Sequence, residues 1–183
     1  TAFTPASDLS EGSHRLVVQE RDAVGNWSAD SFFDIFVDLT PPNASVVSGP
    51  ALTNNPRPTW TWTPGGGGNG TYRYDLDASG TWTQTTATAF TPASNLGEGS
   101  HRLVVQERDA AGNWSADSFF DVFVDLTPPN APVVNGTTPT NNPRPTWTWT
   151  TGGGDGSANF RYDLNNSGVW TETTATAYTP ASD

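Results

Sequence analysis

Two histidines, nineteen carboxylates and a surplus of hydroxyls are the side chains of this sequence that could do chemistry. The histidines, His14 and His101, are copies of one position. Acyl transfer needs a histidine oriented by a buried carboxylate, beside a nucleophile on a strained elbow and facing an oxyanion pocket. Nothing in the sequence resembles that elbow. His101 instead shares strand parity with Leu103 and Val105, which makes it a structural residue at a sheet margin. The glycine runs Gly65–Gly70 and Gly152–Gly156 lack the lysine and helix of a phosphate cradle, and read as flexible loops. Asp75-Leu76-Asp77-Ala78-Ser79-Gly80 has the alternating oxygens of a calcium loop but no bidentate Glu to close it. A hairpin turn is expected there and in the copy Asp163–Gly168. No catalysis is expected.

The elements that position these residues are strands. Pro and Gly total 33 of 183 residues, Cys and Met are absent, and no helix-length run of strong helix formers is present. Without Cys there are no disulfides, thiolate zinc sites or dithiol redox chemistry. A net charge of −11, with Arg the only strong base, excludes nucleic acid, whose phosphates need clustered cations. No apolar run approaches the roughly 18 residues of a membrane span, so no membrane insertion of this segment is expected. The opening Thr1-Ala2-Phe3 falls inside a repeat, and the chain reads as a window on a longer polypeptide.

Residues 1–44 recur as 88–131 at an offset of 87, differing only at positions 8, 10, 24 and 35. Thr176–Asp183 matches Thr88–Asn95 at an offset of 88, because the second glycine loop is one residue longer. A period near 87 residues is the size of one sandwich domain. Strand-like runs in the one complete unit cover roughly 44–47, 58–63, 71–76, 81–86, 89–92, 101–108 and 118–125. The expected fold is all-β, a tandem of immunoglobulin-like (fibronectin-III-like) seven-stranded β-sandwiches. Its divisions are the C-terminal part of a repeat at 1–38, a complete repeat at 39–125 and the N-terminal part of a further repeat at 126–183. The Asp-Leu-Thr-Pro-Pro-Asn joints (Asp38–Asn43, Asp125–Asn130), the hairpin Tyr72–Trp82, Gly99-x-His-x-Leu-x-Val105 and Asp109-Ala-Ala-Gly-Asn113 carry a resemblance. It is to the bacterial immunoglobulin-like tandem repeats of large extracellular adhesins and surface proteins. The resemblance implies a secreted or cell-surface location.

In such a sandwich the chain leaves at one pole and enters the next unit at the opposite one. That sets Asp38, with Glu11 nearby, against Asp109, Asn113 and the glycine loop of the following unit, with Asp125 facing forward. Converging carboxylates repel unless a cation neutralises them, and calcium accepts six to eight oxygens in loose geometry. Glu107, inward by parity with Leu103 and Val105, adds a buried carboxylate that needs a partner. Related adhesin repeats hold calcium at their joints, so the resemblance implies a structural Ca2+ site of Asp38, Glu107, Asp109, Asn113 and Asp125. The competing reading gives Asp109 a side-chain-to-backbone turn, Glu107 an arginine partner, and the linker stiffness from Pro41-Pro42 alone.

Trp60 and Trp62 share one face of a strand and Tyr72 and Tyr74 one face of the next, as core residues do. Along Ser118–Asp125 both faces carry large apolar groups, so one row lies outside. Phe119 and Phe123 with Val104 then form a lateral stripe for a neighbouring chain or domain. Trp27 and Trp114 are expected to plug the joint, or else to stack on a sugar.

Near-identical copies suit length or avidity better than unique chemistry. The function expected is a non-enzymatic structural repeat of an extracellular stalk, adhesin or filament, with neighbouring repeats of the same chain as partners. A carbohydrate-binding or adhesive module is the alternative. Each end holds part of a unit that cannot bury a core by itself. Either the partial units belong to a longer repeat protein, or the tail of one chain pairs with the head of another copy in a filament. Overlap of Thr1–Asp8 with Thr176–Asp183 leaves one copy surplus in the second case.

Overall fold

A computed structural model describes residues 2–181; Thr1, Ser182 and Asp183, the outermost positions of those overlapping ends, lie outside the described residues. The described residues form strands, turns and loops without a helix. The chain divides into two compact units, Thr1–Leu126 and Thr127–Asp183.

The first unit begins with a hairpin of β1 (Gly12–Val18) and β2 (Ser31–Val37), antiparallel with Gly12 opposite Val37 and Val18 opposite Ser31. A sandwich follows, built from β3 (Val46–Ser48), β4 (Leu52–Thr53), β5 (Trp60–Thr63), β6 (Thr71–Leu76), β7 (Thr83–Thr85), β8 (Ala89–Phe90), β9 (Gly99–Arg108) and β10 (Ser118–Val124). One sheet runs β3-β5-β8 and the other β4-β10-β9-β6-β7. Seven of the eight strands lie where the alternating pattern places them. The exception is β4, a two-residue strand parallel to β10, too short to show periodicity. It exists because the first strand changes sheets at Gly49-Pro50. A Cβ on Gly49 would stand 3.2 Å from Val122 Cγ2 and 3.3 Å from Phe120 Cδ1, so a side chain at this crossing would require those neighbours to shift.

Between the sheets lie Val47, Trp60, Trp62, Tyr72, Leu103, Val105, Val122 and Val124, all buried. Each comes from the strand face that period-two alternation assigns inward. Trp62 meets Tyr72 edge-on at 5.9 Å, and Trp60 donates its indole N–H to the Phe120 carbonyl at 3.0 Å, tying the two sheets together.

The second unit has β11 (Val133–Gly136), β12 (Trp147–Thr150), β13 (Phe160–Tyr162), β14 (Thr171–Thr173) and β15 (Ala177–Tyr178). They pair as β11-β12-β15 and β13-β14, the same order as β3-β5-β8 and β6-β7. Among its described hydrophobic residues only Trp149 is buried.

Candidate functional site

The acidic joint forms inside the first unit. Asp109 is 5% exposed and closes the β9–β10 turn on itself. Its Oδ1 accepts the backbone N–H of Gly112 at 2.6 Å and of Asn113 at 2.8 Å, and its Oδ2 accepts Asn113 Nδ2 at 2.9 Å. Burial pushes the Asp109 carboxyl up, but the Asn113 amide and the surrounding backbone N–H groups outweigh it and hold it below its ordinary 3.8. Asn113 Nδ2 also donates to the Asp38 carbonyl at 3.0 Å, which fastens the preceding strand to this turn. Thr40 donates its hydroxyl to Glu11 and its backbone N–H to Asp38 Oδ1, while Asn43 donates to the Gly66 carbonyl at 3.0 Å.

Glu107 is 1% exposed, and its partner is backbone rather than arginine. Its Oε2 accepts the N–H of Gly65 at 3.0 Å. A Cβ on Gly68 would overlap the Glu107 carboxyl, and one on Gly65 would overlap the Asn43 and Ala44 carbonyls. The loop expected to be flexible is therefore seated on Pro42–Ala44 on one side and on Glu107 on the other.

Asp38, Asp109 and Asn113 meet as the joint reading requires, but their oxygens do not form a calcium cage. Both Asp109 oxygens are taken by N–H donors, Asp38 Oδ1 by Thr40, and Glu107 points into the glycine loop. Asp125 stands at the far end of β10, where its N–H bonds to Thr53. Among the described residues no three His, Asp or Glu side chains converge to hold a metal ion. In this arrangement both oxygens of Asp109 face N–H donors of its own turn rather than a position shared with Glu107 or Asp125. The Asp75 motif is likewise a turn: Asp77 and Ala78 have φ of 56° and 52°, and Asp75 accepts from Ser79 and Gly80.

At Trp114 the guanidinium of Arg73 lies 4.4 Å from the ring centroid and that of Arg108 5.5 Å. Arg73 also covers Trp82 at 4.5 Å and bonds Gln106 at 2.6 Å. The result is a ladder of Trp82, Arg73, Trp114 and Arg108 across the outer face of the larger sheet. Sequence reasoning missed it, although outward parity of Arg73 and Gln106 on paired strands was the available signal.

The lateral row lies outside the core. Phe119 and Phe123 are 51% and 45% exposed while Val122 and Val124 are buried. Phe119 is opposite Val104 in the β9–β10 register. Arg102 covers the Phe119 ring at 3.9 Å and forms a two-point ion pair with Asp121 at 2.7 Å, so a charged strap crosses the stripe.

Comparison with known proteins gives a family and a fold. Residues 37–126 match the bacterial Ig-like domain family. No curated protein matches the chain. Among solved structures it is similar to rat CD45 extracellular region domains d3–d4, at 9% identity over 67% of this chain and 70% of that one, TM-score 0.41. It is also similar to the chicken CNTN1 FN1–FN3 domains, at 15% identity over 85% and 61%, TM-score 0.41. The central fibronectin-III array of RIM-binding protein matches at 17% identity over 75% and 54%, TM-score 0.34. The chain spans less than two thirds of the last two.

Proposed function

We propose, from the match of residues 37–126 to the bacterial Ig-like domain family, that the chain is a spacer: tandem structural repeats of a stalk on a secreted or cell-surface protein. Domains of this family are common in bacterial surface proteins, and no enzyme family matches the chain. The observation that best supports spacing is the bond from Asn113 to the Asp38 carbonyl, with Asn43 bonded to Gly66 beside it. A repeat that fastens its own linker transmits direction and tension along the chain.

Amide exchange in the full chain tests this. The Thr40 and Asn43 amides are expected to be protected, and Asn113→Ala is expected to speed their exchange about tenfold, the loss of one net hydrogen bond. Exchange at linker rates in the unmodified protein would remove the fixed joint and the spacer reading with it. Carbohydrate binding is the weaker reading, because Arg73 covers a face of both Trp82 and Trp114; retention on a glycan array would reverse that ranking.

A further inference from the structure

The glycine loop of the complete sandwich ends in a reactive pair. Asn69 and Gly70 are both exposed and stand directly before β6. Asparagine followed by glycine is open to attack on its side-chain amide, because glycine has no Cβ to shield the backbone nitrogen. Gly70 has a φ of +79°, and a Cβ built on it would meet nothing within 4 Å, so conformation and not packing favours a glycine there. The second unit fills the matching positions with Ser157 and Ala158, the latter at a φ of 58°. The turn therefore forms without an Asn-Gly pair.

Asn69 also fastens the loop. Its backbone N–H donates to the Arg108 carbonyl at 2.8 Å and its Nδ2 to the Asp109 carbonyl at 2.8 Å, while its Oδ1 accepts the Thr71 N–H at 2.9 Å. Asp109 is the residue whose carboxylate closes the β9–β10 turn around Asn113, which in turn holds the Asp38 carbonyl.

We propose that Asn69-Gly70 is a site of spontaneous deamidation, gated by the glycine loop, whose product unfastens that loop from the β9–β10 turn. The Gly70 nitrogen gives up its proton and bonds to Asn69 Cγ; the Cγ–Nδ2 bond breaks and Nδ2 leaves as ammonia. Water, the co-reactant, adds to either carbonyl of the resulting succinimide and opens it to aspartate or isoaspartate. One water enters, one ammonia leaves and one negative charge is gained. Ring closure must turn the amide away from both Asp109 and Thr71, so the reaction runs through the open loop and not the seated one. The product has no Nδ2 to offer the Asp109 carbonyl and sets a carboxylate against that oxygen instead. An opening that was reversible becomes permanent. The pair Asn135-Gly136 is placed differently, within β11 and opposite Thr148 and Trp147 of β12.

Peptide mass mapping of the full chain during incubation at mildly alkaline pH tests this, with the urea-unfolded chain as the reference. Aspartate and isoaspartate are expected at residue 69, formed on the order of 100-fold more slowly in the folded protein than in urea, the cost of opening two hydrogen bonds. Glu107→Ala frees the Gly65 end of the loop and is expected to raise the folded-state rate about tenfold. Asn69→Asp carries the product's charge without its donor, and is expected to quicken exchange of the Gly65 and residue-69 amides about tenfold. An equal rate in folded and unfolded chain, no product at residue 69 in folded Glu107→Ala, or exchange unchanged by Asn69→Asp would overturn the inference. The first and last of these comparisons do not depend on Glu107→Ala folding.

Discussion

At the scale of single residues, one buried carboxylate and one histidine connect side-chain chemistry to loop placement. Glu107 holds the Gly65 N–H, so Glu107→Ala is expected to destabilise the sandwich by about 1–3 kcal/mol through an orphaned donor, read as a lower urea midpoint. Gly68→Ala should cost a similar amount, about 1–3 kcal/mol, from the other side of the contact. The parity that pointed Glu107 inward was legible in the sequence. Its partner was not, because a glycine loop declares freedom and only the tertiary contact shows it seated. His101 has an acceptor at each ring nitrogen, Asp77 at 2.7 Å and the Gly97 carbonyl at 3.0 Å. Burial lowers its pKa, but these bonds and the Asp77 charge outweigh that and raise it above 6.5. A raised folded value means stability present below about 6.5 and lost as pH rises through the folded value. The melting temperature is therefore expected to fall between pH 6 and pH 8, and His101→Gln to flatten that slope.

At the scale of elements, the β9–β10 turn works as a clasp whose state depends on Asp109. Its folded pKa is depressed, so its stabilisation is present above about 3.8 and is lost as pH falls through the folded value. Exchange of Thr40 and Asn43 is expected to quicken below about pH 4, before the sandwich itself unfolds. Asp109→Asn should weaken the joint at neutral pH, because an amide nitrogen cannot accept the donors that a carboxylate oxygen can. The outer-face ladder contributes to the same sheet. Arg73→Ala removes stacking on Trp82 and Trp114 together with the Gln106 bond, and about 1–2 kcal/mol of lost stability is expected in thermal melts.

At the scale of the whole molecule, the repeat provides its own control. Leu16 and Leu103 stand in the same local sequence, yet one is 44% exposed and the other 0%. Leu103→Ala is expected to cost about 2–5 kcal/mol, read as a lower urea midpoint, because it opens a cavity in the closed core of the sandwich. Chelator or millimolar calcium is expected to leave the melting temperature where it is, since the joint carboxylates already face amide donors. A calcium-dependent rise would show that those donors can be displaced.

The sequence by itself determined the period, the all-β class, seven of the eight sandwich strands and the placing of Asp38 beside Asp109 and Asn113. These follow from patterns of period two, from turn residues at fixed offsets and from copying, all of which are local or one-dimensional. Only the tertiary structure decided what each oxygen and ring touches. The glycine loop became a seat on Glu107, Arg73 met Gln106 and Asn113 met Asp38, because these contacts join residues 33 to 75 positions apart.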